Sequence, residues 1–271
     1  MSSMAIVTLT TDFGYSDGYV GALKGAVLAI EGGAHLVDLC HGVVPYDLLD
    51  GAYTLAQAYP YFPPGTIHVV VVDPGVGTGR RPIVASAGRH YFVAPDNGVL
   101  SLVYARETEC TVYHATARHY FAAQVSQTFQ GRDVFAPLAG WLAKGIEAEK
   151  FGDPITDYVR FALPKPRAEA DGLHGVVLKA DRFGNIVTNI TPQDAPPLAS
   201  GDGATAPPSF ELRVGQAKVA TLRPNYEAAP PGQLFAVWGS TGYLEISANR
   251  ASALRLAAVE RGAEVILALG H

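Results

Sequence analysis

A continuous apolar run, TIHVVVV at Thr66–Val72, constrains the fold of this chain more than any other feature. Its β-branched residues favour a strand, and it lacks the apolar–polar alternation of a strand with one solvated face. Such a run is typical of a central parallel strand that is covered on both faces. The run ends at Asp73, and the loop that follows contains three glycines, which let a backbone approach a ligand closely.

Strand-like and helix-like segments alternate around this run. Strands are predicted at Ala5–Thr10, His35–Cys40, Pro82–Ala87 and His90–Ala94, and helices at Asp17–Ile30, Asp47–Tyr59 and Asp133–Lys144. The β-α-β-α-β order predicts a doubly wound, Rossmann-like α/β sheet with helices on both sides. We place this N-terminal α/β domain at residues 1–160.

The pattern changes after about residue 150, where prolines in a polar stretch predict a linker. Short strand-like runs follow at Gly175–Lys179, Asn185–Ile190, Phe210–Val214, Lys218–Leu222, Leu234–Val237, Tyr243–Ser247 and Glu264–Leu269. Gly, Pro and Asn separate them, which predicts a small all-β barrel or sandwich at residues 161–271. The segment Pro192–Pro208 is predicted to be a loop.

Composition excludes several classes of protein. The net charge is −5 and the only adjacent basic pair is Arg80-Arg81, so no nucleic-acid partner is expected. No apolar run approaches the roughly 20 residues that cross a bilayer, so no membrane partner is expected. Two cysteines, Cys40 and Cys110, cannot build a disulfide framework. The start of the chain lacks the pattern of a signal peptide, and we expect a cytoplasmic location.

Polar residues after the first predicted strand form one candidate ligand site. Thr11-Asp12-Phe13-Gly14 and Asp17-Gly18 lie where open α/β sheets bind ligands, and an aspartate there can accept hydrogen bonds from a ribose diol. The alternative is that Asp12 or Ser16 caps the following helix. His41 follows another strand end and is expected to line the site.

The loop Asp73–Arg81, DPGVGTGRR, is a second candidate. It lacks the GK[ST] ending of a phosphate-binding P-loop and opens no obvious helix. A tight turn with a salt bridge is the structural interpretation, and a ligand site is the favoured one.

Two further polar segments have strong structural interpretations. In Thr128–Asp133, Asp133 is interpreted as a helix N-cap. In Asp181–Asn185, Gly-Asn is a common turn pair, although Phe183 could stack on a purine. The histidines show no metal-binding spacing such as HExxH, so neither a metal nor a cofactor is expected.

Together the motifs resemble a known family. TDFGYSDGYVGALKG, VVVVDPGVGTGRR, PDNG, TFQGRDVFAP, DRFGNIVTNI and GSTGYLEISANRASA occur in order along nearly the whole chain. The chain resembles the S-adenosylmethionine hydroxide adenosyltransferases, relatives of the fluorinase and chlorinase. The resemblance implies a Rossmann-like domain followed by a β-barrel domain. It also implies a homotrimer with each active site between neighbouring subunits, and cleavage of S-adenosylmethionine at C5′ by water or hydroxide, giving adenosine and methionine.

The resemblance also implies roles for individual residues. Asp12 is expected to bind the ribose hydroxyls, Asp181 and Ser240 the methionine part. Phe183 and Asn185 are expected to contact adenosine. The other residues expected to bind substrate are Asp17, Val76, Phe129, Gly131, Glu245 and Asn249.

The expected catalytic group departs from the family pattern at one position. The family is thought to activate water with an Asp-Arg-His group, and Asp73 and Arg80 match the first two members. The family motif reads TFHGRD, whereas this chain has Gln130 in place of the histidine. Glutamine cannot take up a proton near neutral pH. The alternatives are a hydrolase that tolerates glutamine, an inactivating substitution, or a protein that binds its ligand with slow or no turnover.

Two weaker alternatives remain. A halide-using adenosyltransferase is disfavoured because the halogenases lack the Asp-Arg pair on this loop. A metal-assisted phosphohydrolase is conceivable from the aspartate-rich loops alone.

Overall fold

The computed structural model describes residues 4–199 and 208–270 of the chain, so most of the predicted loop's second half lies outside the described residues. The chain divides into two compact units, Met1–Ala162 and Leu163–His271.

The N-terminal unit contains a seven-stranded mixed sheet in the order β2-β1-β3-β5-β4-β6-β7. The strands are β1 Ile6–Thr11, β2 His35–Cys40, β3 Ile67–Val71, β4 Pro82–Ala87, β5 His90–Pro95, β6 Cys110–His114 and β7 Pro154–Ile155. The first four strands in this order are parallel, and the remaining pairings are antiparallel.

Helices cover both faces of this sheet. They are α1 Tyr19–Leu28, α2 Leu48–Ala58, α3 Ser101–Arg106 and α4 Ala136–Ala143. Val69 and Val71 of β3 pack into one apolar cluster with α1 and α4, whereas Val70 and Val72 pack into another with α2 and α3. Successive side chains of a strand point to opposite faces, so an uninterrupted apolar run is what a doubly covered strand requires. The prediction of an α/β N-terminal domain is confirmed.

The helix predicted from Asp133 begins later than expected. Gly131–Phe135 forms a π-helical turn, and the α-helix starts at Ala136. Pro137 has no N–H to donate to the carbonyl of Asp133, and Ala122 N donates to that oxygen instead at 2.8 Å. The N-cap interpretation of Asp133 is therefore wrong.

The C-terminal unit is a nearly closed antiparallel barrel in the order β12-β11-β15-β9-β10-β14-β13, with β8 paired to β9. The strands are β8 Arg167–Glu169, β9 Gly172–Ala180, β10 Ile186–Thr188, β11 Phe210–Val214, β12 Ala217–Val219, β13 Leu234–Trp238, β14 Leu244–Ala248 and β15 Glu264–Leu269. A bridge from Leu222 to Ala236 brings the segment after β12 beside β13.

One apolar core fills this barrel, including Val177, Ile186, Leu212, Ile246 and Leu267. The near-closure decides between the two predicted all-β architectures in favour of the barrel. Two short helices, α5 Pro196–Ala199 and α6 Ala253–Ala257, accompany the strands. In neither unit do the described residues include a helix long and apolar enough to span a bilayer.

Candidate active site

A cavity of about 340 Å³ lies in the N-terminal unit, beside the carboxyl ends of β1 and β3. The parallel strands end at the same edge of the sheet, so the loops that follow them meet there. Six of the predicted site residues line the cavity: Asp12, Asp73, Val76, Phe129, Gln130 and Gly131. The lining also includes Phe13 and Thr128, which belong to two of the candidate segments, and four residues that were not predicted: Tyr19, Pro45, Tyr46 and Val71.

Asp73 and Arg80 form a buried ion pair at this cavity. Arg80 Nε donates to both carboxylate oxygens of Asp73 at 2.9 Å, and Nη2 also donates to Oδ2. The two side chains are only 6% and 8% exposed, respectively, and the guanidinium lies 5.0 Å from the centre of the Phe135 ring. Arg80 Nη1 is buried and has no hydrogen-bond partner within the described ranges. The pair therefore holds a carboxylate in a fixed orientation at the cavity wall.

Gly77 brings this loop against the segment that contains Gln130. Its φ is +78°, and a Cβ at this position would collide with the carbonyl oxygen of Gln127. Only glycine fits such a close approach at positive φ without strain. The glycine-rich loop is thus needed for contact with residues just before Gln130, which lines the same cavity as Asp73.

Gln130 immediately precedes the π-helical turn and is partly buried. Within residues 4–199 and 208–270 its side-chain amide makes no hydrogen bond, so the amide is available to a ligand or a water. The next residue but one, Arg132, donates to Asp133, and this hydrogen bond is the main reason that the pKa of the Asp133 carboxyl lies below its ordinary value.

Aromatic rings enclose one side of the cavity. Phe129 packs edge-on against Phe13 and Tyr19, with ring centres 5.9 and 5.0 Å apart. The Arg132 guanidinium lies 5.1 Å from the centre of the Phe129 ring. All three rings line the cavity, so the wall beside Gln130 is aromatic.

Asp12 follows β1, as expected, and faces the loop after β2. Its Oδ2 accepts a hydrogen bond from Tyr46 N at 2.9 Å, and Tyr46 has a φ of +65°. Neither Asp12 nor Ser16 caps α1, whose N-cap is Gly18 without a side-chain hydrogen bond. Asp17 is exposed and does not line the cavity. His41 was expected to line the site, but it is buried and is not among the residues that line the cavity.

A second group of predicted residues lies in the C-terminal unit. Asp181 closes the turn between β9 and β10, because its carboxylate accepts hydrogen bonds from Phe183 N, Asn185 N and Asn185 Nδ2 at 2.8–2.9 Å. The turn interpretation is confirmed, and the turn also presents Phe183, whose side chain is 80% exposed. A ring this exposed is open to a ligand or to another chain.

Glu245 is a buried carboxylate near this turn. It is 6% exposed, and its Oε2 accepts a hydrogen bond from the Tyr226 hydroxyl at 3.2 Å. Burial, together with the charge of Asp181, raises the pKa of Glu245, and the hydrogen bond from Tyr226 only partly offsets this. Burial and the nearby Glu245 raise the pKa of Tyr226 to about 12. Tyr226 was not predicted, because a tyrosine in a proline-rich loop has no sequence signal of its own.

The remaining predicted residues flank β14. Ser240 is exposed in the turn between β13 and β14, and a Cβ on the preceding Gly239 would collide with the carboxylate of Glu245. Asn249 Nδ2 donates to Ala229 O at 2.7 Å. Asn249 therefore has a structural partner, whereas Ser240 remains accessible.

One group of potential metal ligands occurs among the described residues: Glu169, Asp171 and His174, in the C-terminal unit. Both ring nitrogens of His174 are already hydrogen-bonded, Nδ1 to Glu264 and Nε2 to Asp171. These hydrogen bonds raise the pKa of His174, which favours an imidazolium rather than a metal ligand. The absence of a metal stays a prediction.

A Rossmann-like unit with a cavity of carboxylate and aromatic side chains at its sheet edge, followed by a β-barrel, defines a two-domain α/β-plus-β protein with a candidate small-molecule site. Two family models match this chain. The SAM hydroxide adenosyltransferase N-terminal domain matches residues 7–152, and the C-terminal domain of the same family matches residues 175–266. The chain belongs to the SAM hydroxide adenosyltransferase family, which confirms the resemblance read from its motifs.

Individual relatives agree with this assignment. The chain is 36% identical over 259 residues to the (R)-S-adenosyl-L-methionine hydrolase of Salinispora tropica, covering 94% of this chain and 95% of the relative. It is 36% identical over 271 residues to the protein of the same name from Thermus thermophilus, covering 97% and 100%. Identity to the fluorinase of Nocardia brasiliensis is 29% over 279 residues, covering 91% of each chain.

Solved structures show the same architecture. An uncharacterized conserved protein from Thermotoga maritima superposes with a TM-score of 0.86 at 34% identity, covering 97% of this chain and 99% of that one. A conserved hypothetical protein from Thermus thermophilus superposes with a TM-score of 0.76 at 35% identity, covering 97% and 100%.

Proposed function

We propose that this protein hydrolyses S-adenosylmethionine to adenosine and methionine. Relatives of 35–36% identity that align over almost all of this chain are named (R)-S-adenosyl-L-methionine hydrolase, whereas the fluorinases are less similar. The observation that most supports the proposal is the Asp73 carboxylate, which lines the cavity and is oriented by Arg80.

The substrate's chemistry fits such a site. The sulfonium leaves as the neutral thioether of methionine and takes the electron pair of the C5′–S bond, so no acid has to protonate it. The difficult requirement is an oxygen nucleophile that is aligned with C5′ and partly desolvated. In the proposed reaction, a water hydrogen-bonded to Asp73 attacks C5′ and loses a proton through that carboxylate. Arg80 supplies the positive charge that keeps the carboxylate oriented.

Gln130 has the role of orienting this water. Its amide both donates and accepts hydrogen bonds but takes up no proton near neutral pH. We therefore assign the proton-accepting step to Asp73 rather than to the residue at position 130.

The histidine variant tests the assignment at this position. Because Asp73 already accepts the proton, we expect Gln130→His to raise kcat by less than the roughly 10²–10⁴-fold that a general base contributes, and to make kcat fall below about pH 6.5, where imidazole becomes protonated. Gln130→Asn is the matched control, since it keeps the amide and shortens its reach. A kcat that is unchanged and independent of pH in the histidine variant would show that this position does not contact the reacting water.

The remaining substrate contacts are proposals of the same kind. Asp12 binds the ribose hydroxyls, and the aromatic wall around Phe129 contacts the adenosine moiety. Phe183 and Asn185 contact adenosine as well, and Asp181 and Ser240 hold the methionine part. The Asp181 carboxylate also accepts three hydrogen bonds within its own turn, which fix its orientation.

A binding protein without turnover is the second candidate function, and Gln130 is the observation that favours it. The decisive experiment incubates the protein with S-adenosylmethionine and separates the products by chromatography. Adenosine and methionine in equal amounts support hydrolysis. Intact substrate together with calorimetric binding supports the binding protein. A 5′-halo-adenosine that forms only with halide would place the chain with the halogenases.

We propose that the reaction needs no metal and no cofactor. Activity is expected to survive dialysis against EDTA. Loss of activity that Zn²⁺ or Mg²⁺ restores would contradict this and would favour metal-assisted hydrolysis.

We also propose a homotrimer with inter-subunit active sites and a cytoplasmic location, as the family resemblance implies. Light scattering after gel filtration tests the trimer. Mixing Asp73→Asn and Phe183→Ala subunits tests the shared sites, because recovery of activity on mixing requires that one subunit complement another. Cell fractionation tests the location.

A further inference from the structure

A chain of hydrogen-bonded side chains runs from the surface of the N-terminal unit to the loop that holds Asp12. Lys24 Nζ of α1 donates to Asp38 Oδ2 of β2 at 2.7 Å, and Asp38 Oδ1 lies 3.0 Å from His41 Nε2. His41 Nδ1 lies 2.7 Å from Thr11 Oγ1 at the end of β1. Thr11 and His41 are fully buried, whereas the Lys24 and Asp38 side chains are 32% and 28% exposed.

The partners define where the protons lie. Burial raises the pKa of Asp38, but hydrogen bonds from Lys24 and His41 outweigh this, so the net pKa is lowered and the carboxylate only accepts. His41 Nε2 therefore donates to it, and in this tautomer Nδ1 accepts from the Thr11 hydroxyl. The Thr11 oxygen is then free to accept from Phe13 N, at 3.2 Å.

The threonine end of this chain, together with one backbone hydrogen bond, holds the two residues that follow Asp12. The threonine hydroxyl holds Phe13 N, and the carbonyl oxygen of His41 accepts from Gly14 N at 2.8 Å. Asp12 lies at the start of the segment held in this way, and its own carboxylate accepts from Tyr46 N on the loop that follows His41. Asp12, Phe13 and Tyr46 all line the cavity.

We propose that His41 and Asp38 are positioning residues that act through Thr11 to hold Asp12 in the orientation that binds the vicinal hydroxyls of a ribose. The proposal rests on the proposed function. His41 contributes no atom to the cavity lining, so it acts through other residues rather than on the substrate. Because ribose binding is the same before and during C5′ attack, a loosened loop raises KM and leaves kcat almost unchanged.

The chain contains a matched control for a purely structural role. Thr8 Oγ1 lies 2.7 Å from His68 Nδ1 in the same unit, and both residues are fully buried. Thr8 precedes Thr11 on the same strand and lines no part of the cavity. Removing either hydroxyl thus breaks the same kind of hydrogen bond at two distances from the site.

The experiment compares Thr11→Val, Thr11→Ser and Thr8→Val by steady-state turnover of S-adenosylmethionine, calorimetric binding of adenosine and thermal unfolding. Thr11→Val is expected to raise KM and the adenosine Kd about tenfold, which corresponds to about 1.4 kcal/mol, with kcat within about twofold. Thr11→Ser keeps the hydroxyl and is expected to restore the wild-type KM. Thr8→Val is expected to lower the unfolding temperature and leave KM within about twofold.

Asp38→Asn is the second variant, because Asp38 lies at the partly exposed end of the hydrogen-bonded series and its replacement leaves the core intact. We expect it to raise KM about threefold without a large loss of stability. Equal KM changes in Thr11→Val and Thr8→Val, or an effect confined to kcat, would overturn the positioning role. Turnover by the wild-type protein would still uphold the proposed function in that case. A wild-type protein that neither turns over S-adenosylmethionine nor binds adenosine would overturn both.

Discussion

The N-terminal sheet contains two buried threonine–histidine pairs of the same length whose surroundings differ. Thr11–His41, at the carboxyl edge, continues to the charged side chains of Asp38 and Lys24 and adjoins the cavity. Thr8–His68 lies further from that edge, and His68 Nε2 lies 3.4 Å from His90 Nδ1.

The second pair is enclosed by aromatic rings. His68 stacks on Phe92 with ring centres 5.1 Å apart, and Tyr59 packs edge-on against both histidines. Burial lowers the pKa of His68 to about 3, and His90 contributes to the shift. The same two residue types are thus linked to charged side chains in the Thr11–His41 pair, whereas burial keeps the histidine of the Thr8–His68 pair neutral. What a buried histidine does depends on its further partners, which the pair alone does not reveal.

The largest expected effect is at the carboxyl edge. Asp73→Asn should lower kcat by about 10²–10⁴-fold, because the amide no longer accepts the proton of the attacking water. The rate of adenosine formation at saturating S-adenosylmethionine measures kcat. Asp96→Asn is the matched control, since Asp96 is a buried carboxylate paired with Arg81 but lies outside the cavity lining. A control variant with the same loss of kcat would mean that Asp73 acts through stability alone.

The next largest effect is a loss of folding stability in acid that arises from the Thr8–His68 pair. Because the folded-state pKa of His68 lies below the unfolded value of about 6.5, its contribution to stability is lost as pH falls from about 6.5 towards 3, by up to about 1.4 kcal/mol per pH unit. His90, whose pKa is also lowered by burial, adds to this loss.

Urea unfolding at pH 7, 5 and 4 measures this dependence. The double variant Thr8→Val/His68→Leu is expected to unfold with a shallower dependence on pH than the wild type, because it has one fewer buried histidine to protonate. Identical slopes in the two proteins would show that His68 does not titrate on unfolding.

The smallest effect is expected from Tyr59→Phe. The Tyr59 hydroxyl donates to Glu107 Oε1 at 2.6 Å, so its removal should lower the free energy of unfolding by about 1–2 kcal/mol. The kinetic constants should not change, because the residue lies outside the cavity lining. Tyr61→Phe, at an 84% exposed tyrosine of the same segment, should change neither property. An altered KM in Tyr59→Phe would show that the surroundings of Thr8–His68 also affect the site, which would contradict the comparison between the two pairs.

Much of the fold could be predicted because its signals are local. The continuous apolar run Thr66–Val72 predicted a doubly covered central strand, and the strands His35–Cys40 and Pro82–Ala87 were predicted to the residue. The helix α3 and the strands β6 and β7 were not predicted, because they are short and their stability comes from pairing and packing on the sheet. The later start of α4 has a local cause in Pro137, whereas the hydrogen bond from Ala122 to the Asp133 carbonyl comes from a separate segment that a local pattern does not include.

Part of the candidate site could also be predicted, because its signals are local in the sequence. Asp12, Asp73 and Gln130 each follow or precede a recognisable element, and they line one cavity. Tyr46 and Tyr226 were missed, because each reaches its aspartate or glutamate partner from a loop without a pattern.

Sequence alone determined the order of the elements, the family motifs, the Asp73–Arg80 pair on one loop and the glutamine at position 130. Each of these is a property of neighbouring residues. Only the tertiary structure decided that Gly77 presses the Asp73 loop against Gln127, that Asp181 uses its carboxylate to close its own turn, and that His41 lies behind the cavity. The physical reason is that hydrogen bonds and desolvation depend on which distant segments come into contact. The spacing of residues along the sequence does not specify those contacts.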